Sequence, residues 1–322
     1  MNRSSRRSIV STADASLSCA EVATSSTLSG SSGLSRRIRV EQIMGTAISL
    51  DLRDQSIAPA AVDAAFDHLR DIDMRFSTWK TESEISRLGR GELSAEKCSP
   101  DVRVVLEQCE RLRAVTHGFF DIRGHRPDGR LDPSGFVKGW AAESAAGILD
   151  AAGARNFCLN AGGDVIARGE SEPGRPWRIG VRHPELPDRL ATVIEARDMA
   201  VATSGGYERR DHIIDPHTGR PPSGLLSVTV VGPDLSEADA YATAAFAMGP
   251  GGLTWLDSLG GYDGCMITAE RRLVWTPGFA RFKADSDPSD IGRAMDLRAR
   301  IAPCMRRNAP AVTECACDSD DG

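Results

Sequence analysis

Apolar positions along this chain follow two different periods, and the switches between them outline the fold. Val62, Phe66, Leu69 and Phe76 follow helical spacing, with the charged Asp73 in step between the last two and Pro59 near the first turn, so residues 58–77 predict a helix. Residues 99–118 predict a second helix, with Ser99 at the cap, Pro100 at the first helical position and Gly118 at the stop. Residues 138–153 predict a third, opened by Lys138 and closed by Gly153. The Ala-rich run SEADAYATAAFAMG, Ser236 to Gly249, predicts a fourth, and a short helix comes next near 251–259.

Strand patterns fill the intervals. Residues 37–52 suit a strand, and NFCLNAGGDVIARG, residues 156–169, reads as two strands around a glycine turn. Further strand-like segments lie near 177–183, 192–203, 227–232, 264–268 and 272–275. Ser204-Gly205-Gly206 reads as a flexible bend, His212-Ile213-Ile214 as a short strand and Asp215 to Gly219 as a turn. Strands and helices alternate without a regular βαβ period, so the expected class is α+β rather than a doubly wound sheet.

The ends lack such patterns. Residues 1–36 are Ser-rich and read as a disordered leader, residues 37–285 as the folded domain, and residues 286–322 as a polar, Cys-containing, disordered tail. SRRSIV in the leader resembles a twin-arginine export signal, but Asp14 and Glu21 interrupt the segment after it. The expected location is therefore the cytoplasm, with export to the periplasm as the alternative.

Composition narrows the function. A net charge of -6 argues against nucleic acid as the main partner, so an anionic ligand would need local positive charge from a metal, a Lys or a helix N-terminus. No apolar run approaches a membrane span, so no stable membrane insertion is expected. The eight cysteines show neither zinc-ligand spacing nor a disulfide framework, and Cys109 and Cys158 fall in apolar patterns as core thiols.

Four stretches carry candidate chemistry. In the Ala-rich helix, Asp239 and Thr243 stand four apart on one face, where both oxygens could reach one hard cation. The competing reading makes Ser236 the cap and Asp239 part of a capping box. RLDPSGFVKGW places Asp132, Gly135 and Lys138 at a turn and a helix start, which suits either a surface Lys or an anion site. NAGGD suits a hairpin turn. His212 suits either a packed structural histidine or a proton acceptor.

Taken in order, these stretches resemble the FAD:protein FMN transferase family, the ApbE-like proteins. The matching pieces are MGT from Met44, FSTWKTESEISRL, THGFFD, LDPSGFVKGW, NAGGD, ATSGGYER, HIIDPHTG and EADAYATAAFAMG. The resemblance implies antiparallel sheets flanked by helices and transfer of FMN from FAD to a Thr or Ser hydroxyl of another protein, releasing AMP. It implies Mg²⁺ on Asp239, Thr243 and the Gly135 carbonyl. It implies FAD across Met44, Trp79, Phe119, Phe120, Asp121, Asp132, Lys138 and Ile213, with His212 as the base. The implied acceptor motif is Asp-x-x-(Ser/Thr)-Gly-Ala-(Ser/Thr). The chain's own DPHTGRP departs from it after the Gly, so efficient self-modification is not expected. Other departures are Gly89 where the family has Asn, Phe119 where it has Ala, and Trp79 where Tyr is frequent. Gly89 keeps open a metal-dependent FAD pyrophosphatase giving FMN and AMP. A non-catalytic flavin-binding carrier is the alternative of another class.

Overall fold

A computed structural model of the chain describes residues 36–124, 130–186, 189–206 and 213–284. The expected tail, the leader up to residue 35 and the candidate base His212 lie outside the described residues.

The chain opens with β1 (Arg37–Ile43) and β2 (Thr46–Leu52). These form a hairpin rather than the single strand expected over 37–52. Ile43 pairs with Thr46, leaving Met44 and Gly45 as the turn, with φ of 56° and 72°. Two positive φ angles in a two-residue loop match the right-handed twist of the flanking strands. Helices α1 (Pro59–Phe76), α2 (Glu84–Gly89) and α3 (Pro100–Val115) come next. The short α2 was not expected; Ser83 caps it by accepting from the Ser86 amide at 3.1 Å.

Helix α4 (Ser134–Ala151) starts one turn earlier than the pattern suggested. Asp132 accepts from the Ser134 amide at 3.2 Å, and the Pro133 carbonyl accepts from Phe136 and Val137. What reads as an Asp-Pro-Ser-Gly turn thus leads straight into the first turn of the helix, with Pro133 at its N-cap, and Lys138 sits in its second turn.

The remaining strands are β3 (Phe157–Ala161), β4 (Asp164–Arg168), β5 (Trp177–Arg182), β6 (Leu190–Ala196), β7 (Met199–Gly205), β8 (Leu225–Gly232), β9 (Asp263–Thr268) and β10 (Leu273–Trp275). Helices α5 (Leu235–Ala247) and α6 (Gly252–Asp257) lie between β8 and β9. The segment expected as one strand over 192–203 breaks into β6 and β7 at Asp198, whose φ is 51°. Ser204 and Gly205 belong to β7 rather than to a bend, and Ile213 and Ile214 are not in a strand.

Eight strands form one antiparallel sheet in the order β1-β2-β3-β4-β7-β8-β9-β10, and β5 pairs only with β6. This is the α+β architecture expected. The pleat divides the core. Leu159, Ile166, Ala200, Ala202, Val230 and Met266 face the helices. Their neighbours Cys158, Val165, Ala167, Val201, Val231 and Cys265 face the β5–β6 hairpin. The central strands are covered on both sides, which explains their near-continuous apolar runs. Cys109 and Cys158 are buried, as expected of core thiols, and burial pushes the Cys109 and Cys265 thiols up to about 12.

Helix α5 is buried along its whole length, which its Ala content allows. Helix α4 packs against it in close contact. A Cβ on Gly139 would lie 2.6 Å from the Leu235 carbonyl oxygen, so glycine is what lets the backbones meet. Glu143 secures the crossing: one oxygen accepts from the Leu235 amide at 2.7 Å, and the other pairs with Arg168 of β4 at 2.9 Å. Burial raises the Glu143 pKa despite these partners. Among the described residues, no helix is long and apolar enough to cross a membrane.

Candidate active site

The strand registers bring several turns to one end of the sheet. The Met44-Gly45 turn, the Gly162-Gly163 turn between β3 and β4, and the end of β7 at Ser204-Gly205 all lie there. The first turn of α4 and the C-terminal half of α5 reach the same end, because Gly135 approaches Thr243 and Thr243 meets Ser204.

Asp239 and Thr243 share the α5 face aimed at this end. The capping reading of Asp239 does not hold. The cap of α5 is Asp234, which accepts from the Glu237 amide at 3.0 Å, and Asp239 lies a full turn into the helix. Asp239 is 4% exposed. The Lys138 ammonium stands 3.5 Å from its Oδ2 and also pairs with Asp164. Thr243 Oγ1 shares a 3.2 Å hydrogen bond with Ser204 Oγ. A Cβ on Gly135 would lie 3.3 Å from Thr243 Oγ1 and 3.4 Å from the Phe120 ring. Gly135, Phe120, Lys138, Asp239 and Thr243 are therefore gathered at one place, with Asp164 and Ser204 added.

The other expected residues make contacts of their own. Asp132 accepts from the Ser134 amide at the start of α4. Asp121 is held by Arg113 Nε at 3.2 Å and accepts from the Arg123 amide at 2.9 Å. Phe119 packs on His217, ring centroids 4.4 Å apart, and His217 also faces Asp215 at 3.2 Å. Burial opposes the charge on Asp215, but hydrogen bonds from His217 and Thr218 leave its pKa lowered. Met44 holds its positive φ in the β1–β2 turn, and Ile213 is buried. Trp79 is 86% exposed on the loop after α1, an open aromatic face rather than part of the packed centre.

The family comparison covers the stretch of chain that carries these residues. The ApbE family model matches residues 44–125 and 123–266. The chain belongs to the ApbE family. The matched span runs from Met44 past Thr243, so it includes every expected site residue.

Relatives of this ApbE-family chain agree. It is 28% identical over 237 residues to the FAD:protein FMN transferase of Vibrio cholerae serotype O1, covering 56% of this chain and 71% of that protein. It is 34% identical over 134 residues to the FAD:protein FMN transferase of Escherichia coli K12, covering 38% of each. The match to the protein of that name from Rhodobacter capsulatus is 38% identical over 136 residues, covering 40% of this chain and 26% of that one. The chain thus spans well under half the length of the last two. Among solved structures, the flavin transferase ApbE from Vibrio cholerae matches with a TM-score of 0.68 at 24% identity, over 77% of this chain and 100% of that one. The ApbE protein from Thermotoga maritima matches with a TM-score of 0.70 at 23% identity, over 78% and 100%. These two likenesses establish the shared ApbE fold.

The donors at the ApbE centre suit a hard cation. Asp239 offers a carboxylate, and Thr243 and Ser204 offer hydroxyls, beside the Gly135 backbone of the first turn of α4; all are oxygen donors. Among the described residues, no three His, Cys, Asp or Glu side chains form a metal cluster. A magnesium ion needs no such cluster, because it takes few protein oxygens and completes its octahedron with water and phosphate. Two contributors escaped the sequence reading. Asp164 was visible only as the residue after a Gly-Gly turn, and Ser204 only as part of an assumed bend.

Proposed function

We propose that this chain transfers the FMN portion of FAD to a Ser or Thr hydroxyl of a second protein. The acceptor oxygen attacks the FMN phosphorus, the pyrophosphate P–O bond breaks, AMP leaves with the bridging oxygen, and a phosphoester bond forms. Family membership and the names of its relatives support flavin transfer. The observation that carries the chemical reading is the meeting of the Lys138 ammonium, the Asp239 carboxylate and the Thr243 hydroxyl at the α4–α5 contact.

In this reading Asp239, Thr243 and the Gly135 carbonyl hold Mg²⁺. Bound there, the ion supplies positive charge beside the pyrophosphate. Lys138 adds a second positive charge, which an acidic protein needs in order to hold a diphosphate. Phe119, Phe120, Met44 and Ile213 give the flavin nucleotide apolar contact, and Trp79 offers an open stacking face. Asp121 and Asp132 accept hydrogen bonds from its donors. His212 takes the acceptor's proton. The acceptor carries Asp-x-x-(Ser/Thr)-Gly-Ala-(Ser/Thr).

One feature favours a second reading, hydrolysis of FAD to FMN and AMP. Thr78, Ile85, Ser86, Gly89, Arg90, Arg130 and Leu131 line a hollow, and Gly89 places no side chain in it. A Cβ there would make only ordinary contacts, 3.7 Å from the Leu131 amide nitrogen. Product analysis separates the two. With FAD, Mg²⁺ and an acceptor protein, transfer releases AMP in step with protein-bound flavin. Free FMN appearing equally with and without acceptor would make hydrolysis the activity.

A further inference from the structure

Asp164 has no part in the reaction above, yet it is the most buried charge at the centre, 1% exposed. It begins β4 directly after the Gly162-Gly163 turn, whose φ angles are 66° and 105°. Its Oδ1 accepts from the Thr203 amide of β7 at 2.9 Å, and its Oδ2 pairs with Lys138. The bond from Thr203 ties the Asp164 carboxylate to the sheet backbone. Lys138, with 27% of its side chain exposed, reaches both Asp164 and Asp239, the latter at 3.5 Å.

One ammonium thus serves two buried carboxylates. A divalent cation on Asp239 would repel that ammonium, so the two cannot keep the same close contact. We propose that Lys138 is the site's own counter-ion for Asp239 before metal binds, and that Asp164 is the positioning residue that retains Lys138 when the metal takes Asp239 over. The inference rests on the divalent-cation reading of Asp239 and Thr243. Its consequence is that the dication adds two positive charges while the Lys138 ammonium stays at the centre, which favours an anionic diphosphate once metal has bound.

The test is calorimetric titration of Mg²⁺ into the full chain without FAD, with thermal melts to establish folding. Lys138→Met should bind Mg²⁺ at least about tenfold more tightly than wild type, because the competing charge is gone. Asp164→Asn should bind about tenfold more weakly, because Lys138 then loses its Asp164 anchor and leans more on Asp239. The double variant Lys138→Met/Asp164→Asn should recover at least wild-type affinity. A merely structural Asp164 would weaken binding whether or not Lys138 is present, so a double variant as weak as Asp164→Asn overturns the proposal. Equal or weaker binding by Lys138→Met also overturns it, and that comparison decides alone if Asp164→Asn does not fold. In both outcomes the metal reading stands, provided wild type binds and Asp239→Asn does not. Wild type without Mg²⁺ binding, or Asp239→Asn binding equally well, would remove the metal reading and this proposal with it.

Discussion

Ser204 at the end of β7 and Thr243 on α5 meet hydroxyl to hydroxyl at 3.2 Å, a contact that ties the sheet to the helix bearing Asp239. Both residues are buried. Thr243→Val keeps the shape of the side chain and removes its oxygen. It should cost about 1–3 kcal/mol of stability by stranding Ser204. In the proposed role it should also weaken Mg²⁺ binding about tenfold, the loss of one oxygen ligand. Denaturant melts and Mg²⁺ titration measure the two effects separately.

Two glycines of α4 should respond differently to the same methyl group. At Gly139 the added Cβ meets the Leu235 carbonyl oxygen at 2.6 Å, so the helix backbones must part. Gly139→Ala should lose about 1–3 kcal/mol or more in chemical denaturation. At Gly135 the added Cβ lies 3.3 Å from Thr243 Oγ1, a crowding that small shifts can relieve. Gly135→Ala should stay within about 1 kcal/mol of wild type in stability, while its flavin transfer falls because the donor set is disturbed.

Most of the scaffold was legible from apolar spacing, and the misses share a cause. Helices α1 and α3 lie close to the expected ranges because apolar spacing marks one face of each, and α5 and strands β3, β4, β9 and β10 do so because they are short apolar or Ala-rich runs with turn residues nearby. The β1–β2 and β6–β7 boundaries were missed because their positive-φ turns use Met44 and Asp198, without the Asn-Gly or Asp-Gly pair that announces such a turn. The start of α4 was missed because Asp132-Pro-Ser-Gly reads equally as a turn and as the entry to a helix. At the site, Asp239 and Thr243 were legible because one helix carries both. Asp164 and Ser204 were not, because only sheet registry brings them to α5.

Trp79 separates binding from stability. With 86% of its surface exposed, it contributes little packing, so Trp79→Ala should leave stability within about 0.5 kcal/mol of wild type. Its stacking role should show as a loss of about 1 kcal/mol or more in FAD binding, roughly fivefold to tenfold in Kd. Flavin fluorescence titration reads that change.

Asp54 should govern part of the acid response. Burial pushes its pKa up, but hydrogen bonds from the Asn156 side chain and the Arg155 and Asn156 amides outweigh this and leave it lowered. A carboxylate with a depressed folded-state pKa adds stability above its unfolded value, about 3.9. That stability drains away as pH falls through the lower folded value. Asp54→Asn should therefore be less stable than wild type at pH 7, and the gap should narrow as pH falls below about 4. Denaturant melts across that range check the sign.

The most direct test of flavin transfer is in-gel fluorescence. Purified protein is mixed with FAD, Mg²⁺ and a small carrier bearing the acceptor motif, and the carrier is denatured and separated. A fluorescent carrier band is expected with wild type, and it should vanish with EDTA or with Asp239→Ala. An undiminished band from Asp239→Ala, or no band and intact FAD from wild type, would contradict metal-dependent flavin transfer at the α4–α5 site.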